Sequence, residues 1–201
     1  MQFPQFFEAA PRITVHDPLA ALLGAPQDGI IEYRYADAVK LAGHSCPTVA
    51  STYLMVRAAL AALYPDTLPA RGSIRIELRQ DRTEGVAGVM ANVVSFLTGA
   101  TEETGFKGIG GRFDRRQLLH FGVDIAGQIR FTRTDTDRAV NVSARLERVP
   151  ADPRTAALMS RCIHGNATAD ETELFQSLWQ GRVRTLLLEH ADDAQTIVVT
   201  L

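Results

Sequence analysis

His44 and Cys46 stand two positions apart in Gly-His-Ser-Cys-Pro, directly before an apolar run that starts at Pro47. An imidazole and a thiol at this spacing in an extended connection can turn toward one point. Sulfur and imidazole nitrogen are soft donors, so the pair suits zinc, nickel, copper or iron better than magnesium or calcium. The same two groups can also act as base and nucleophile. Pro47 at the first helical position would make Cys46 the N-cap, where unpaired N–H groups and the positive end of the helix dipole favour the thiolate. Against this stands the plainer reading of a buried cysteine cap, since free cysteine is among the most commonly buried residue types. A metal would need a further protein ligand or a position filled by water, and the neighbouring sequence supplies neither.

The flanking sequence must position that pair. "YADAVKLAG" predicts a helix ending at Gly43, which puts His44 in a sharp connection. "PTVASTYLMVRAALAALY" carries Val49, Tyr53, Val56, Leu60 and Leu63 at helical intervals and predicts a central buried helix. Upstream, Asp17-Pro18 to Leu23 predicts a short helix capped by Asp17 and stopped by Gly24, and "IIEYRY" a short strand or a lead-in to the next helix. Downstream, "SIRIELR" alternates as a half-buried strand, and "GVAGVMANVVSFLTG" predicts a helix stopped by Gly99 whose small residues Gly85 to Ala91 suggest close backbone packing and a contact face. "LLHFGVDI", "QIRFTRT" and "AVNVSARLERV" read as an antiparallel meander, with "TRTDTDR" as its charged hairpin turn. After Pro150 and Pro153 the pattern becomes helical, with Thr168 and Glu171 as a capping box and an apolar stripe from Leu174 to Leu187, before "TIVVTL" closes as a strand. These runs predict an α+β fold, an antiparallel sheet against a long central helix: a core over residues 1–150 and a helical extension over 151–201 packed on it.

Composition narrows the function classes. Twenty-one Lys and Arg against 23 Asp and Glu leave no basic excess for nucleic acid or an anionic membrane, so a metal ion or small molecule is the expected partner. No apolar run approaches the roughly 18 residues of a membrane span, and the start lacks a secretory pattern. The expected location is the cytoplasm, whose reducing conditions argue against pairing Cys46 with Cys162.

Other candidates carry less. "GFKGIGGRF" lacks the Gly-Lys-Ser/Thr ending of a phosphate loop, and its glycines suit a tight path near a cleft. Lys107, with Arg112, is available there to bind an anionic cofactor group, though solvated surface charge is the simpler account of both. Cys162 and His164 form a Cys-x-His that could add ligands, though a packed thiol and a helix-end imidazole are the simpler account. His16 could add another beside Asp17; a cap and an exposed histidine is the simpler account. His120 is expected on the outer face of a strand, and His190 at a helix end.

"AGHSCPTVASTYLMVRAAL" and "VVSFLTGATEETGFKGIGGRFD" together resemble the formylmethanofuran dehydrogenase E-subunit family, over roughly Tyr35 to Asp124. The resemblance implies an α+β core that often dimerises, with a cleft around His44 and Cys46 where a divalent metal, zinc foremost, can sit. It makes these two the candidate metal-ligating and catalytic residues. The chain departs from the family pattern in having Ala42 where a further histidine is common, no cysteine in "EGVAGVM", and no Cys-rich finger at its end. A non-catalytic metal carrier, or an accessory subunit docking on a redox enzyme, is the alternative to a working cleft site. The family's name does not transfer its activity, because fold does not fix function.

Overall fold

The computed structural model describes residues 2–201. A short 3-10 turn, Gln5–Ala9, leads into β1 (Ile13–His16), α1 (Pro18–Leu23) and β2 (Ile30–Tyr33), with β1 and β2 paired antiparallel. Asp17 caps α1 by accepting the Leu19 and Ala20 N–H groups, Pro18 needs no partner, and Gly24 ends the helix in the left-handed region. α2 (Tyr35–Ala42) stops at Gly43, at φ +75°, and α3 (Pro47–Leu63) starts four residues later. Then come β3 (Ile74–Leu78), α4 (Ala87–Thr98), β4 (Leu119–His120), β5 (Ile129–Arg133), β6 (Ala139–Ala144), α5 (Thr155–Ile163), α6 (Ala169–Glu189) and β7 (Ile197–Thr200). The fold is α+β.

Five strands form the main sheet in the order β4-β3-β5-β6-β7. The meander expected from the sequence is therefore corrected at one point. "LLHFGVDI" contributes only the two-residue β4, which pairs in parallel on the far side of β3, while β3, β5, β6 and β7 are antiparallel neighbours. The parallel placement follows from the long excursion through α4 and the Gly-rich loop, which returns the chain to the free edge of β3 instead of folding it back as a hairpin. On the partly exposed face, Glu77 is 8% exposed because its register partner Arg130 grips both carboxylate oxygens at 2.6 Å. That pair holds the Glu77 carboxyl below its usual range.

α3 is apolar all round: twelve of its seventeen residues are buried, so it needs cover on every side. α2, α4 and α6 pack around it, and β6 and β7 close the remaining face. In α4, Ala87 and Ala91 are buried, but Val86 is 45% exposed and a Cβ on Gly88 would meet open space. The small residues there therefore serve two purposes, Ala for packing and Gly88 for an open surface. The α6 stripe is also shorter than its sequence pattern: Val183, Leu186 and Leu187 are buried, while Leu174 is 37% exposed.

One buried ionic node ties the N-terminal hairpin to the core. Asp17 accepts from Arg115 Nη2 at 2.7 Å and from Arg71 Nη1 at 2.9 Å, with the Asp17 and Arg115 side chains 5% and 6% exposed. Gly99, at φ +77°, gives the arginines room, since a Cβ there would lie 2.5 Å from Arg115 Nη1. Thr101, which closes the Thr-Gly-x-Thr segment Thr98-Gly99-Ala100-Thr101, donates its hydroxyl to the Arg115 carbonyl at 2.7 Å. This motif thus holds up the arginine node.

Burial pushes the Asp17 carboxyl up, but the Arg71 hydrogen bond, the Ala20 N–H and Arg115 outweigh it and leave its pKa below the ordinary value. A depressed folded pKa contributes stability above the unfolded value of 3.8 and loses it as pH falls through the folded value. Asp17→Ala is expected to cost about 3–5 kcal/mol in chemical denaturation, because it strands two cations. Asp17→Asn is expected to flatten the loss of melting temperature between about pH 5 and pH 2, the range over which such a carboxylate takes up its proton.

Candidate functional site

Three constraints place the Gly-His-Ser-Cys-Pro loop. Gly43 turns the chain out of α2, Cys46 is extended at φ −148° and ψ 167°, and Pro47 begins α3. Cys46 is the N-cap, and the Val49 N–H donates to its Sγ at 3.4 Å. An N–H aimed at sulfur from a seventeen-residue helix is the kind of donor a ligating or attacking sulfur would accept from. The side chain is only 8% exposed. His44, in contrast, is exposed, and its Nδ1 lies 2.9 Å from the Ala42 carbonyl. A carbonyl only accepts, so Nδ1 carries the proton and the neutral ring presents Nε2 as its free lone pair.

Between them, Ser45 is fully engaged. Its carbonyl accepts from the Trp179 indole N–H at 3.0 Å and from the Gln180 amide at 3.2 Å. Its hydroxyl donates to Gln180 Oε1 at 3.0 Å and lies 3.0 Å from the Tyr35 hydroxyl, which donates to it. Burial pushes the Tyr35 hydroxyl well above its ordinary pKa, so it stays a neutral donor. Four hydrogen bonds from α2 and α6 fix a loop that has no regular structure of its own.

The same residues border a cleft of about 360 Å³. Phe3 and Phe7 line it from the N-terminal segment and Phe175 and Trp179 from α6, with Val39 and Ser45 between them. The rings are paired: Phe3 stacks on Phe7 at 5.4 Å, and Phe175 is tilted against Trp179 at 5.7 Å.

The remaining candidates are scattered. Asp17 caps α1 and binds two arginines, and His16 is half-buried with its backbone bonded to Pro69 and Arg71. Cys162 lies 3.9 Å from the Thr172 hydroxyl, and His164 Nδ1 donates to the Ser160 carbonyl at 2.7 Å. His120 donates to the Gln117 carbonyl and His190 meets Asp193 and Thr196. Lys107 is exposed in the Gly-rich loop, and Arg112 stacks over the neighbouring Phe113 ring at 4.8 Å. Among the described residues no three His, Cys, Asp or Glu side chains gather as a metal-holding group. His44 and Cys46 are therefore the right kind of donors for a transition metal, but too few to close a four-coordinate site by themselves.

A family model described as FmdE, molybdenum formylmethanofuran dehydrogenase operon, matches residues 41–194. The chain belongs to the FmdE family. No curated protein matches it. The FmdE match extends well beyond the Tyr35 to Asp124 stretch that carries the motifs, and takes in α5 and α6. Trp179 and Gln180, which clamp the motif, thus lie inside the FmdE region. The sequence pattern places Trp179 in an apolar stripe and gives Gln180 and Tyr35 no role. Trp179 is the only tryptophan in the chain, placed on the less buried half of its helix. A Trp in that setting was the available signal, since an indole N–H seeks a partner when covered.

Trp179→Phe with Gln180→Leu leaves the Ser45 carbonyl without either donor. The double variant is expected to lose about 1–3 kcal/mol in urea unfolding. It is also expected to raise the alkylation rate of Cys46, read as mass added to a tryptic peptide, relative to Cys162.

Proposed function

We propose that this FmdE-family chain works through the His44-Ser45-Cys46 loop, engaging its ligand with the Cys46 sulfur and the His44 imidazole. The observation that carries this reading is the capped sulfur. Cys46 receives a helix N-terminal N–H while the adjoining Ser45 is held from two other helices, so the sulfur has a fixed position and a charge-stabilising partner. His44 adds an outward Nε2 two residues away. The pair serves either as a thiolate with a neighbouring base or as two donors to a divalent transition metal, zinc foremost, whose other ligands come from outside the chain. Both cysteines are free thiols, which supports a reducing compartment such as the cytoplasm. Among the described residues no helix is long and apolar enough to cross a membrane.

A second reading is a metal carrier or accessory subunit that docks on a redox enzyme. Two observations favour it. A two-donor site releases its cargo easily, and the C-terminal helices keep Ile163 at 73% and Leu174 at 37% exposure. We also propose a homodimer. Support comes from α1, which is apolar throughout yet buries no residue and leaves Leu22 and Leu23 about 60% exposed.

The test is elemental analysis of protein purified without chelators, beside His44→Ala and Cys46→Ala, with Cys46 alkylation followed in parallel. Near-stoichiometric transition metal lost in both variants supports ligation. A metal-free protein whose Cys46 reacts at neutral pH, more slowly after His44→Ala, supports the thiolate. Metal-free protein with inert Cys46 reduces the loop to a helix cap. Light scattering is expected to give twice the 22.0 kDa chain mass, falling toward one chain in Leu22→Glu/Leu23→Glu.

A further inference from the structure

The cleft beside Ser45 has walls whose chemistry defines what it can hold. Its volume, about 360 Å³, lies at the small end of the range for small-molecule sites. Phe3, Phe7, Phe175 and Trp179 supply ring surface from two separate parts of the chain, and among the described residues no charged one lines it. An ionised group placed inside would lose its hydration with no opposite charge in return, so the enclosed part of a ligand must be neutral. The polar atoms of Ser45 are already engaged by Trp179, Gln180 and Tyr35. Gln176, exposed at the rim, makes no hydrogen bond among the described residues. Its amide can both donate and accept.

We propose that this cleft binds the uncharged, flat aromatic part of a small molecule, held between the Phe3/Phe7 pair and the Phe175/Trp179 pair, with one hydrogen-bonding substituent at Gln176. The ligand so placed abuts Ser45, between His44 and Cys46 in the chain. As the ligand of the loop it rests on the reading proposed above. The cleft's own affinity does not.

Trp179 is the only tryptophan, so its fluorescence reports the cleft directly. The full chain is titrated with 2-naphthol, and with naphthalene-2-sulfonate as a charged probe carrying the same ring. Saturable one-to-one quenching by 2-naphthol is expected, with the sulfonate at least tenfold weaker. Phe3→Ala and Phe175→Ala are each expected to weaken 2-naphthol at least fivefold, and Gln176→Leu about threefold, in variants whose melting curves stay cooperative. Quenching that rises linearly without saturation, or equal affinity for the two probes, overturns the proposal. So does equal affinity in all three variants. Cys46→Ala separates the two readings. If it keeps 2-naphthol affinity while metal content and thiol reactivity were absent in the parent, the cleft stands and the loop's role falls. If the parent shows Cys46 chemistry without saturable quenching, the cleft falls and the loop stands.

Discussion

A helix that is apolar on all sides cannot exist alone in water, and α3 imposes that condition on the whole molecule. Burying a Leu or Val side chain is worth about 1.5–3 kcal/mol, and α3 has Val49, Leu54, Val56, Leu60 and Leu63 to bury. One sheet face covers a single side of such a rod. Three helices are therefore recruited around it, and the sheet's last strand comes from the end of the chain. The site inherits its rigidity from this arrangement. Cys46 sits at the start of the most completely buried helix, so its sulfur is positioned by the core as well as by the clamped loop.

Polar groups within this core are used to join its parts. The Asp17 node links the N-terminal hairpin to the β3–α4 layer, with two guanidinium groups on one carboxylate and Arg115 Nη1 left without a partner among the described residues. Such a node is weak evidence for stability in itself, because desolvation offsets most of its attraction, but it rejects alternative packings that would bury any one of its charges alone. The glycine and threonine of the Thr-Gly-x-Thr segment make sense only in relation to it. Gly99 gives way to guanidinium groups, and Thr101 holds the backbone of Arg115.

What could be read in the sequence were features whose cause is local. The Asp17 cap, the Gly24, Gly43 and Gly99 stops, the Cys46-Pro47 helix start and the Thr168/Glu171 capping box each depend on residues within one turn, and each is present. What escaped depended on chain returning from far away. β4 looked like a hairpin partner because alternation gives no direction, and only the return path makes it parallel. The Ser45 clamp joins positions about 135 residues apart, and no local pattern marks a carbonyl for an indole and an amide so distant. The stripe on α6 gave the helix but not the extent of its burial, which is confined to Val183, Leu186 and Leu187, beyond the clamp residues.

That separation also orders the site in time. The loop, α2 and α3 emerge early during synthesis, while most of the elements that cover α3 are still to be made. Trp179 and Gln180 arrive about 135 residues later, followed by β7 and its place beside β6. Until then the Ser45 carbonyl has neither donor, and any product truncated before α6 would keep the motif but lose its clamp. One stretch, from Phe175 to Thr200, thus carries three separate duties: a wall of the cleft, the clamp on Ser45 and a strand of the main sheet.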